Sequence, residues 1–99
     1  SRHRCGGIGS DESGAMRAQM KQHPLSLLFA AGSGAYLADI DVAIQGPAAV
    51  PPLMFRADGP VCLIDLPAGS YTVQATSGGV TKKESVTLGA AAKTVDFRF

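Results

Sequence analysis

Leu66-Pro67-Ala68-Gly69-Ser70-Tyr71-Thr72-Val73-Gln74-Ala75 is the stretch on which the fold turns. An apolar run stops at a Pro-x-Gly turn, and a strand restarts at once on a tyrosine. Tyr71, Val73 and Ala75 alternate with Thr72, Gln74 and Thr76, the period-two pattern of a strand buried on one face. At the head of such a strand Tyr71 reads as a turn-fixing residue, its ring in the core and its hydroxyl bonded to backbone.

The same period runs outward in both directions. Downstream, Ser77-Gly78-Gly79 is a tight hairpin signal. It leads into strands at Val80 to Leu88 and Thr94 to Phe99, with Val86, Leu88, Val95, Phe97 and Phe99 inward. Upstream, Val61 to Leu66 is apolar on both faces except at Asp65, as a central strand requires, and Asp58-Gly59-Pro60 turns the chain into it. Leu53 to Arg56 reads as a short strand, while Pro51-Pro52 makes 48–52 a loop or an edge. Tyr36, Ala38, Ile40, Val42 and Ile44 face one way and Asp39, Asp41 and Gln45 the other. A first strand carries Leu25, Leu27 and Phe29, followed by the turn Gly32-Ser33-Gly34. About seven strands with turns every 8 to 12 residues or so indicate an antiparallel β-sandwich.

Before Pro24 the pattern differs. Residues 1–10, with Gly6, Gly7 and Gly9, read as a flexible leader. Ser10 is placed to cap a helix, with Asp11 and Glu12 in its first turn. Met16 and Met20 make a narrow apolar stripe, and His23-Pro24 ends the helix at about residue 22. The expected organisation is a leader over 1–10, a short helical segment over 11–23 and a sandwich over 24–99.

With 99 residues, 45% of them hydrophobic and 17% charged, the chain is one ordered domain. A net charge of +1 argues against a nucleic-acid partner, which needs a patch of Lys and Arg on the phosphates. No apolar run approaches the roughly 20 residues of a membrane helix. No signal peptide opens the chain as given, so it is cytosolic or a leader has been removed. The two cysteines leave two readings open. Cys62 is a small buried hydrophobe within Val61-Cys62-Leu63-Ile64, or Cys5 and Cys62 are bridged and pin the N-terminal segment.

The chemistry-bearing residues are few. Gly6-Gly7-Ile8-Gly9-Ser10 before a helix could cradle a phosphate, but a dinucleotide loop needs a strand in front of it, and an ordinary capped leader is the simpler reading. Asp39 and Asp41, joined by Asp58 and Asp65, could offer oxygens to calcium; they lack EF-hand spacing and read as solvating carboxylates. His3 and His23 lie in the leader and at a helix end, and no catalytic motif places either beside a nucleophile. No metal, cofactor or catalytic residue is assigned.

The order of signals resembles the carboxypeptidase regulatory-like domains, within the wider prealbumin-like and Cna-B-like group. The resemblance rests on Ala38-Asp39-Ile40-Asp41-Val42-Ala43-Ile44, Ile64-Asp65-Leu66, Pro67-Ala68-Gly69-Ser70-Tyr71-Thr72-Val73, the Gly78-Gly79 turn and the closing Asp96-Phe97-Arg98-Phe99. It covers roughly residues 25–99 and implies a prealbumin-like or Ig-like sandwich. The opening Gly6-Gly7-Ile8-Gly9-Ser10-Asp11-Glu12 also looks like small exported bacterial proteins that carry one such domain. Several family features are missing. The first strand lacks the Lys of a Cna-B crosslink, and Glu84 is the sole glutamate beyond the helix. There is no tryptophan to stack a sugar, no Tyr-Arg-Gly-Ser tail of the urate-pathway hydrolases, and no peptidase zinc motif.

The expectation is therefore a noncatalytic module, periplasmic or secreted, that contacts a protein partner or other envelope component. Its candidate surfaces are the sheet edges, the Ala48 to Phe55 loop and the helix with Met16 and Met20. The alternatives are a domain binding an envelope glycan or small ligand, for which Tyr36 would serve if exposed, and an enzyme with an unrecognised loop site.

Overall fold

The computed structural model describes residues 2–33, 37 and 39–99. Among them are β1 (Arg2–Gly6), α1 (Ser10–Ala18), a 3-10 turn (Met20–Gln22), β2 (Leu25–Ala30), β3 (Ile40–Gln45), β4 (Leu53–Ala57), β5 (Val61–Asp65), β6 (Gly69–Ser77), β7 (Val80–Leu88) and β8 (Lys93–Arg98). The strands form two four-stranded sheets, ordered β1-β5-β2-β8 and β4-β3-β6-β7. Every neighbouring pair is antiparallel except β2 and β8, which run parallel with Leu27 opposite Val95.

Strands β2 and β4 to β8 fall close to where the pattern places them, whereas β3 starts only at Ile40, with Asp39 before it outside the strand at φ 59°. Within the stretch expected as a flexible leader over 1–10, residues 2–6 form a strand. Arg2–Gly6 pairs with β5 from Arg2 opposite Asp65 to Gly6 opposite Val61, which makes eight described strands rather than about seven. The helix is also shorter than the expected 11 to 22. It ends at Ala18, and the chain tightens into the 3-10 turn before Pro24. Ser10 is not the cap. Gly9 occupies that position with φ 88° and no side-chain bond, and Glu12 Oε1 instead reaches back to accept the Gly7 N–H at 2.8 Å. A glycine can take that positive φ where serine would be strained, and the Glu12 carboxylate then satisfies an N–H ahead of the helix.

The inner faces of both sheets meet in one core. Leu25, Leu27, Phe29, Ile40, Val42, Ile44, Cys62, Ile64, Val73 and Phe97 are all buried there, and the Phe29 and Phe97 rings stack with centroids 5.7 Å apart. The outer face of the first sheet holds a second core. Val61 and Leu63 of β5 pack there with Met16, flanked by Met20 and Leu28. The methionine stripe is thus consumed in packing and is not an exposed contact face. Ser26, opposite Leu63 on β2, is fully buried, and its Oγ has no hydrogen-bond partner among the described residues.

Tyr71 fixes the corner between β5 and β6. Its hydroxyl donates to the Pro67 carbonyl at 2.8 Å, and its ring lies so close to Gly46 that a Cβ there would sit 2.3 Å from the ring. Gly78 (φ 54°) and Gly79 (φ 81°) make the β6–β7 hairpin with two successive left-handed residues, which suits the twist of the strands they join. Tyr36 and Ala38, expected to open the β3 strand, lie outside the described residues.

Two stability predictions follow from this packing. Burial pushes the Tyr71 hydroxyl above its ordinary value of 10.0. The neutral, donating form is therefore favoured in the folded state, and its contribution is complete below the unfolded pKa and lost as pH rises through the folded one. Tyr71→Phe is expected to cost about 1 kcal/mol at neutral pH. Denaturant melts of the two proteins should show that gap narrowing above pH 10.0, and a gap unchanged into strong alkali would contradict it. The second concerns Gly59, where a Cβ would meet the Gly6 carbonyl oxygen at 2.3 Å, whereas a Cβ at Gly6 meets the Glu12 and Met16 side chains. Backbone cannot swing aside as side-chain ends can, so Gly59→Ala should lower the melting midpoint more than Gly6→Ala.

Candidate functional site

β1 owes its place to a covalent tie. Cys5 and Cys62 face each other across the β1–β5 ladder and are joined by a disulfide, with Cα atoms 4.1 Å apart. That spacing belongs to the closer, non-hydrogen-bonded kind of antiparallel pair. Cys62 lies in the main core and Cys5 packs against it. Because side chains alternate along a strand, directing Cys5 inward sends Arg2 and Arg4 to the outer face.

On that face the strand borders a cleft of roughly 370 Å³, lined by Arg2, His3, Arg4, Gln19, His23, Leu63 and Asp65. Leu63 lies in its lining from the centre of β5. The chain leaving α1 supplies Gln19, whose Oε1 accepts a hydrogen bond from the Arg4 guanidinium. His23 follows the 3-10 turn in extended conformation (φ −122°, ψ 143°), as a residue before proline must, and its Nδ1 lies 2.8 Å from Asp65 Oδ1. Both partners are part-exposed, 23% for His23 and 39% for Asp65, so the pair orients the imidazole more than it stabilises the fold. The His3 ring stacks on Phe55 of β4, with centroids 4.1 Å apart and planes 13° from parallel. This contact crosses from the edge of one sheet to the edge of the other.

Chemically the cleft offers two guanidiniums and an imidazole against a single carboxylate. That set can hold an anionic group through charge-assisted hydrogen bonds. Among the described residues its lining contains no serine, threonine, cysteine, lysine or tyrosine.

The other sequence candidates disperse. The glycine loop ahead of α1 presents the Gly7 N–H to Glu12, so an internal carboxylate sits where a phosphate would have to bind. Asp39 lies 3.9 Å from Arg56, while Asp65 belongs to the opposite sheet and pairs with His23. Among the described residues no group of three or more His, Cys, Asp or Glu side chains could hold a metal ion. Among them, too, no helix is long and apolar enough to cross a membrane. The Ala48 to Phe55 segment leads into β4, whose Met54 is 74% exposed. Tyr36, the residue proposed to stack a sugar, lies outside the described residues.

Sequence reading missed the cleft because it needs three segments at once. The one local signal was the alternation Arg2-x-Arg4 around an inward Cys5, legible only once Cys5 is known to face Cys62. No protein-family model matches the chain, and no curated protein matches it.

The bridge closes a loop of 57 residues, and its chain-entropy contribution is about 4 kcal/mol as an upper figure. The double replacement Cys5→Ala, Cys62→Ala should lower unfolding free energy by roughly 2 to 4 kcal/mol. Amide exchange should show the loss first in β1. Equal protection of β1 with and without the bridge would contradict that assignment.

Proposed function

We propose that this chain is a noncatalytic β-sandwich module of the carboxypeptidase regulatory-like kind, exported to the bacterial periplasm or secreted, and that it works in the cell envelope through contact with another protein. The observation that carries the contact reading is the exposure of its strand edges. β7 ends its sheet and is solvent-exposed along nearly its whole length, and β1 ends the other with Arg2, His3 and Arg4 exposed. Open edges present unpaired N–H and C=O groups that a second chain can complete.

The Cys5–Cys62 bridge supports the export reading, since such bonds persist in oxidising compartments and are rare in the cytosol. The two-sheet, strand-rich arrangement is compatible with the sandwich the family reading implies. The basic cleft favours one competing reading, a domain that binds a small envelope ligand or glycan.

Amide NMR of labelled protein separates the two. Titration with soluble envelope extract should broaden resonances of the edge strands, and protease treatment of the extract should abolish the broadening. Localised shifts with defined glycan fragments, or broadening that survives the protease, would overturn the protein-contact reading in favour of the ligand.

A further inference from the structure

We propose that β1 is the docking edge, and that it takes an extended acidic segment of the partner protein, with two carboxylate side chains two residues apart flanking an apolar one, added as a further strand beside β1. The inference rests on the protein-contact reading and specifies its surface and its chemistry.

Three observations converge on this edge. The first is main-chain polarity. Cys5 and Cys62 form a closer, non-hydrogen-bonded pair, with Cα atoms 4.1 Å apart. By the alternation of antiparallel ladders, His3 is then also in such a pair, opposite Ile64. Residues in these pairs turn their N–H and C=O away from β5, so His3 and Cys5 present donors and acceptors outward along the open edge.

The second is charge. Arg2 and Arg4 stand two residues apart on the outer face, both exposed, and Arg4 is steadied by Gln19. A strand laid beside β1 places its own side chains opposite them, about 5 Å away between Cβ atoms. Carboxylates at those two positions would meet the guanidiniums, and one could enter the cleft towards His23. A second copy of β1 would bring Arg against Arg, so the edge disfavours pairing with itself.

The third is the face between the two arginines. His3 points to the inner side and stacks on the half-buried ring of Phe55. The incoming residue opposite His3 would lie beside this aromatic pair, where an apolar side chain is favoured. The three positions together select acidic, apolar, acidic.

The test uses the whole chain, isotope-labelled and oxidised, titrated with a blocked peptide of sequence Thr-Glu-Val-Glu-Thr. Amide shifts should be confined to β1 and the cleft. Affinity should fall roughly tenfold when both glutamates are replaced by glutamine, and by a similar factor in Arg2→Gln, Arg4→Gln protein. Arg2→Gln alone provides the same readout if the double variant is unstable, and Lys83→Gln on β7 should leave binding unchanged. Binding should also weaken as salt is raised. The proposal is overturned if the glutamine peptide binds equally well, if acetate or phosphate alone reproduces the shifts at matched concentration, or if no shift occurs with millimolar peptide. Shifts that map to β4, β7 or β8 would overturn the choice of edge while leaving the protein-contact reading intact. Failure of that reading would be recorded separately, by the protease-resistant broadening described above.

Discussion

The structure depends on a strand that must be covered on both faces. β5 is buried at Val61, Cys62, Leu63 and Ile64 in succession. A simple two-sheet sandwich covers only the inward pair, Cys62 and Ile64. The outward pair, Val61 and Leu63, would otherwise face water at about 1.5 to 3 kcal/mol each. The N-terminal segment supplies the cover. Met16 and Met20 close over Val61 and Leu63, Gly6 and Gly59 pass almost in backbone contact, and β1 occupies the remaining edge of β5. Residues 10–22 thus form a third layer over the outer face of the first sheet while β1 extends that sheet at its edge, and the cleft lies where the layer stops short.

How much of this was legible depended on whether the information was local. β3, β6 and the hairpin after Ser77 follow from alternation and glycine placement, and the Tyr71 corner follows from a turn immediately before a strand. β5 announced its burial by being apolar on both faces, although the pattern did not say what would cover the second one. Strand direction has no signature in a period of two, so the parallel pairing of β2 with β8 was invisible. β1 was missed because Arg2-His3-Arg4-Cys5-Gly6 lacks the alternating apolar residues of an independent strand; its conformation is imposed by the ladder to β5 and the bridge. The helix was overextended because the sequence stays helix-compatible to Gln22, whereas the approach to Pro24 tightens its last turn. The His23–Asp65 pair joins residues 42 apart, and no local pattern contains it.

The four sheet edges are managed differently. β7 carries Lys82 and Glu84 on its inner side, opposite Ala75 and Val73, and the Lys82 ammonium lies 5.9 Å from the Phe99 ring centroid. Charges pointing inward from an edge strand obstruct the stacking of another strand's apolar residues there. β8 runs beside β2 and closes on it through the Phe99 N–H, which donates to the Ala30 carbonyl at 2.9 Å. β4 is held against β1 by the stacked rings of Phe55 and His3. β1 lacks inward charge at its tied end, and its positive residues lie on the outer face. β1 therefore selects by sign, whereas the inward charges make β7 the more guarded of the two exposed edges.

The bridge accounts for both halves of this arrangement. A one-residue slip of β1 against β5 would turn every side chain of the strand to the opposite face, burying Arg2 and Arg4 over the core and exposing Cys5. The hydrophobic pattern of β1 is too weak to prevent that slip. The disulfide prevents it, because only the register with Cys5 directly opposite Cys62 allows the sulfurs to meet. Stability and presentation are therefore one constraint. The bond that holds β1 on the edge of β5 also fixes which way the arginines point and which backbone groups remain open beside them.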